Sequence, residues 1–192
     1  MRHIFVIGLV IALSLAACGP HMATTVRVEE RIPAGATIAV LPLENLSGRE
    51  NASEKITDYL MLSLQSVKDL SVAEFGKTYE QMRKSRVRSA AFLTDAQIDS
   101  LATGLGITYL VVGSVLEFSE SDNQYLGKIP QLSMNVRVIN CATKQTIWSS
   151  AINARGDQGE FVFGIGAVRS KDELAQKVVE QTAAKIGNLV RK

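Results

Sequence analysis

Histidine is nearly missing from this 192-residue sequence: His3 and His21 are the only two, and residues 37–192 hold none. A Ser-His-Asp or Cys-His catalytic site needs an imidazole base, so neither fits that stretch. No Ser-x-x-Lys spacing supplies another base. Cysteine is equally scarce. Cys18 and Cys141 alone make neither a disulfide framework nor the ligand set of a Cys/His zinc site. Cys141 is expected to be a half-buried small residue near a turn. An excess of one charge is lacking too, since 21 Lys and Arg stand against 19 Asp and Glu, and such a balance does not suggest a nucleic-acid partner. Carboxylates are plentiful, but no motif frames a pair of them. The residues therefore predict a non-enzymatic protein with no cofactor and no metal.

Long hydrophobic runs are also absent, with one short exception at the start. Ile4 to Leu13 is a ten-residue apolar run behind Arg2 and His3, followed by Leu15, Ala16, Ala17 and Cys18. About ten apolar residues cannot cross a hydrocarbon core of about 30 Å as a helix, which points to a cleaved signal instead of an anchor. The segment resembles the lipobox of a bacterial lipoprotein signal peptide, in which Cys18 receives lipid. On that reading residues 1–17 are removed and 175 remain, enough for one domain with a full core. In Gram-negative lipoproteins the next residue influences sorting. Gly19 is not the aspartate that favours inner-membrane retention, which implies the periplasmic face of the outer membrane.

Residues 18–36 read as the lipidated cysteine and a tether, because Pro20, Pro33 and Gly35 punctuate a stretch without a period. A flexible tether of that length typically spans roughly 20 to 25 Å. From residue 37 the patterns are regular. Strands are expected near 37–42, 70–75, 107–118, 131–140 and 145–154, from β-branched runs and from alternation. Ile56, Tyr59, Leu60, Leu64 and Val67 mark one face of a helix over 53–67. Further helices are expected at 78–87, after the capping box Thr94-Asp95-Ala96-Gln97, and at 172–186. The fold class is α/β. Residues 37–192 form a single domain with an open mixed sheet of about five strands, in the order β-α-β-α-α-β-β-β-α. The first two strands should be parallel across their helix, and Val40, Leu60, Leu64, Val111, Val136 and Val178 should lie in the core. Gly113, inside a strand, marks a bulge or close packing.

Three patterns invite functional readings. Gly76-Lys77-Thr78 has the end of a phosphate loop, but Ser71 stands where its first glycine belongs. Gly164-Ile165-Gly166 has Arg169 where a dinucleotide loop needs a third small residue. The acidic trio Glu117, Glu120 and Asp122 offers too few oxygen ligands for a hard cation. The basic run Lys77, Arg83, Lys84, Arg86 and Arg88 is the only dense charge of one sign, and is the candidate partner-binding surface.

Ile38-Ala-Val-Leu-Pro-Leu-Glu-Asn-Leu-Ser-Gly48, Leu105-Gly-Ile-Thr-Tyr-Leu-Val-Val-Gly-Ser114 and Val136-Arg-Val-Ile-Asn-Cys-Ala-Thr-Lys-Gln-Thr-Ile-Trp148, in that order behind a lipobox, resemble blocks of the CsgG-like periplasmic lipoproteins. Similar α/β domains occur in LpoB-type activators and at the TolB N-terminus. The resemblance implies an outer-membrane-anchored lipoprotein that acts as an assembly or scaffold component of an envelope or secretion machine. Its partners would be envelope proteins, with self-association because the family includes ring-forming members. The alternative is an LpoB-like activator of a peptidoglycan synthase. Channel function does not carry over. A membrane-spanning hairpin needs two strands of about 9 to 11 residues, and the corresponding links, 119–130 and 154–170, are expected to hold no such pair.

Overall fold

A computed structural model describes residues 22–23, 30–125, 127–158 and 167–191. Eleven elements follow along the described chain: β1 Met22–Ala23, β2 Ala36–Val40, β3 Glu44–Asn45, α1 Ala52–Gln65, β4 Leu70–Val72, α2 Phe75–Lys84, α3 Asp95–Leu105, β5 Tyr109–Asn123, β6 Gly127–Asn140, β7 Thr146–Arg155 and α4 Lys171–Gly187. They build one α/β domain around a mixed, open sheet in the order β1-β7-β6-β5-β2-β4, with β3 pairing β5 beyond the end of β2. The strands β2, β4 and β5 are parallel, as the strand-helix-strand order requires, while β5, β6 and β7 form an antiparallel meander.

Alternation decides which side of the sheet each helix covers. On one face Val40, Val111, Val136 and Trp148 meet Ile56, Leu60 and Leu64 of α1 and Val178 and Ile186 of α4, all nearly inaccessible. On the other, Ala39, Leu41, Leu110 and Val112 meet Met82, Ile98 and Leu101 of α2 and α3. Those two helices cover only the parallel half. Over β6 and β7 the same face carries Gln131, Ser133, Asn135, Ser149, Ala151 and Asn153. It is satisfied within itself: Ser133 Oγ donates to Asn153 Oδ1 at 2.7 Å, and Ser114 Oγ to Asn135 Oδ1 at 3.0 Å. The loop after β2 is pinned by Thr57, whose buried hydroxyl accepts from the Leu43 N–H and donates to the Ser53 carbonyl. Truncating a fully buried leucine typically costs about 2 to 5 kcal/mol. A Leu60→Ala protein is therefore expected to lose that much stability in urea denaturation, and an unchanged midpoint would contradict the face assigned to α1.

Several boundaries differ from the sequence reading, each for a local reason. The strand expected over 70–75 ends at Val72, and the following helix begins at Phe75, not Thr78. Glu74 causes this: its carboxylate accepts from the Gly76 and Lys77 amides and so caps the helix three residues early. Thr94 and Gln97 form the expected capping box, and Gly106, at φ 63°, closes α3 in the left-handed conformation. Gly113 is packed closely, while the bulge falls later, between Val115 and Glu117. The link 119–130 is no loop. It consists of the outer arms of β5 and β6, paired from Ser119↔Gln131 to Asn123↔Gly127. Residues 30–36 are also no free tether, because Ile32 is completely buried and bridges to Val190. Its N–H donates to the Leu189 carbonyl and its carbonyl accepts from the Arg191 N–H, both at 2.9 Å.

Candidate functional site

The basic run divides once it is folded. Helical geometry turns successive residues about 100° apart, so neighbours in sequence leave the helix on different sides. Arg83, Arg86 and Arg88 come together with Val87 on one shallow surface. Arg83 and Arg88 also line an adjoining groove of about 480 Å³, with Tyr79 on one wall and Glu44 and Asn45 on the other. The chain turns sharply here, at Arg86 with φ 53°, and the Val87 N–H returns to the Met82 carbonyl. Lys84 points its charge elsewhere, pairing with Glu80 at 2.7 Å on an exposed helix face. That contact holds the Glu80 carboxyl below its ordinary range. Lys77, in the first turn of α2, is not among the residues lining either surface.

The decoys resolve physically. The amides of Gly76 and Lys77, which a phosphate would need, are occupied by Glu74 of the same chain. Glu117 and Glu120 lie on opposite faces of the β5 arm, and Glu120 pairs with Lys128 at 3.8 Å. Among the described residues no group of His, Cys, Asp or Glu has the geometry to hold a metal ion. Gly164-Ile165-Gly166 and the lipobox Leu15, Ala16, Ala17 and Cys18 lie outside the described residues.

Sequence reasoning missed a second polar cluster. Glu30, in a stretch without periodicity, reaches the far end of the sheet, where its Oε1 accepts from the Tyr109 hydroxyl at 2.9 Å and from Asn140 Nδ2 at 2.5 Å. Burial first, and then this carboxylate, push the Tyr109 phenol up to about 12. Beside it Cys141 is buried in the turn after β6, and burial pushes its thiol up to about 11, with Lys144 opposing. Such a thiol is no nucleophile at neutral pH. Both groups are acids raised in the folded state, so each contributes stability below its unfolded value that is lost as pH rises through the folded one. Unfolding midpoints are expected to fall between about pH 9 and 12. Cys141→Ala should flatten the lower part of that decline, and an equally steep one would argue against the buried thiol as its source.

No family model matches this sequence, and no curated protein is similar to it at the level of sequence. Solved structures do match in fold. The PelC dodecamer from Paraburkholderia phytofirmans superposes with a TM-score of 0.54 over 91% of this chain and 100% of its own, at 14% identity. Lipoprotein GNA1162 from Neisseria meningitidis gives 0.53 over 78% of this chain and 99% of its own, at 20% identity. The LpoB C-terminal domain from Escherichia coli aligns more loosely, at 0.46 over 64% of this chain and 84% of its own, with 16% identity. At these identities the likeness is one of fold: the chain has the α/β architecture found in PelC and in lipoprotein GNA1162.

Proposed function

We propose that this chain is a non-enzymatic lipoprotein of the cell envelope, held by Cys18 on the periplasmic face of the outer membrane, that assembles into an envelope or secretion machine. CsgG-like membership without membrane-spanning hairpins is the finer form of this reading. The observation that carries it is the Arg83, Arg86 and Arg88 surface, a clustered cationic patch beside the half-exposed ring of Tyr79. Arginine and tyrosine are enriched where proteins bind proteins, and clustered cations select an acidic partner. The sequence supports the same reading, since residues 37–192 lack histidine and Cys141, the one cysteine among them, is buried and inert. Self-association agrees with a fold shared with a protein described as a dodecamer, and anchorage with a fold shared with a lipoprotein.

The test is affinity recovery from cross-linked envelopes. The expected catch is an export or assembly component, or further copies of this chain, recovered several-fold less when Arg83 and Arg86 are both changed to glutamate. Unfolding midpoints should not change, because both arginines are surface residues. Recovery of a peptidoglycan synthase would instead establish the activator reading.

A further inference from the structure

We propose that the crevice between α1 and α4 docks an acidic, amphipathic helix of a partner protein. The two helices run parallel: Lys55 near the start of α1 pairs with Asp172 near the start of α4 at 2.9 Å, and at the far end Val67 packs against Gly187. Their inner faces cover the sheet, and the crevice follows their outer side. A groove of about 530 Å³ beside Leu62 and Glu180 shares Val67 and Ala184 with a larger one of about 1080 Å³, so the two are continuous. The larger ends at Arg31, Lys68 and Arg191, with Asp69 the single carboxylate among its lining residues. Far apart in sequence, these three cations form a basic cluster only in the fold. It is separate from the Arg83, Arg86 and Arg88 surface, which lies with α2 on the other side of the sheet.

Charge identifies the occupant. Helix C-termini attract cations, and Arg31 answers that need at α4, where its Nη1 donates to the Asn188 carbonyl at 2.8 Å. Lys68 and Arg191 are surplus to it. Both are exposed, and among the described residues neither side chain has a hydrogen bond or an ion pair. Their backbone is nevertheless fixed, since the Asp69 carbonyl accepts from the Gly35 N–H at 2.8 Å and the Arg191 N–H donates to the Ile32 carbonyl at 2.9 Å. The rim is set before anything binds, which lowers the cost of ordering it. Three cations against one carboxylate select an acidic segment, and the floor of Val67, Ala184 and Gly187 takes apolar side chains spaced at i, i+3, i+4 and i+7. From Glu180 to Gly187 the helix rises about 10 Å, so two to three turns of a docked helix fill the crevice. Glu180 repels acids at the opposite end, which gives that helix one direction. A contact of about ten residues, against about 20 to 30 a side in a stable interface, makes the binding transient.

The experiment uses the full chain in detergent to select from a phage library of randomised peptides of about three helical turns. Enriched peptides should carry apolar residues at helical spacing, with Asp and Glu gathered at one end. Lys68→Glu combined with Arg191→Glu should bind them on the order of tenfold more weakly, and should prefer versions in which lysine replaces the acids. Its unfolding midpoint should not change, because both positions are exposed. Arg83→Glu combined with Arg86→Glu should bind the same peptides as the parent does, which separates this site from the arginine surface across the sheet. Enrichment without an acidic bias overturns the proposal, and so does equal binding by the Lys68 and Arg191 double variant. Self-association that this double variant abolishes would give the crevice to a second copy and overturn it as well.

Discussion

Replacing Cys18 with serine is expected to abolish acylation and move the protein from the membrane fraction to the soluble one. The expected effect is close to all or none. Each buried methylene of a lipid chain contributes about 0.8 kcal/mol, so several chains on one cysteine hold a protein firmly. Little else in the chain replaces them. Among the described residues no helix is long and apolar enough to cross a membrane, and the apolar run at residues 4–13 is too short to span one. Intact-mass measurement and fractionation after a salt wash check this. A Cys18→Ser protein still held by the outer membrane would mean that the lipobox resemblance misleads.

The second large effect is expected at Gly113, in the middle of the sheet. Even alanine there puts its Cβ into the Asn135 backbone carbonyl and within 3.1 Å of Leu43 Cδ2. Neither neighbour is free to retreat. Asn135 lies on the central strand β6 and its side chain is bound by the Ser114 N–H and hydroxyl. Leu43 is buried and its N–H is tied to Thr57. Overpacking a filled core typically costs about 1 to 3 kcal/mol and occasionally more. A domain of ordinary stability has only about 5 to 15 kcal/mol in total. Gly113→Ala should lower the urea midpoint clearly, and Gly113→Val should leave little soluble protein. An alanine variant as stable as the parent would mean that β5 and β6 do not approach as described.

Much of this architecture was legible because apolar periodicity reports burial. The runs that became β2 and β5 are β-branched where they lie between two helix layers, β6 alternates because helices cover one of its faces, and α1, α3 and α4 carry clear faces. The outer arms of β5 and β6 escaped notice because Ser119 to Asn123 are polar and Ile129 is the single apolar residue between Lys128 and Pro130, too little to show a period, so the strands there rest on cross-strand pairing and the burial of Ile129. The early start of α2 depended on one carboxylate, Glu74, that no period reveals. For the site, the sequence identified the basic segment but not its partition. Arg83, Arg86 and Arg88 converge only because the chain breaks at Arg86, whereas Lys84 stays on the helix beside Glu80. Glu30 was hidden for a different reason, since its role is set by long-range contacts with Tyr109 and Asn140.

The central claim is that this protein binds and does not conduct. Beyond the end of β7 the hairpin extends only from Pro130 to Gly127, and Glu117, Glu120, Asp122 and Lys128 along its arms interrupt any lipid-facing band. Copies of such a hairpin do not close a barrel, because each strand crossing a bilayer requires about 9 to 11 residues with an apolar outer face. The second link, 154–170, lies partly outside the described residues, so the claim calls for measurement on the whole chain. Acylated full-length protein added to planar bilayers is predicted to leave the current at baseline, while flotation of the same preparation with vesicles confirms that it is membrane-bound. Discrete single-channel steps from the bound protein alone would contradict the account.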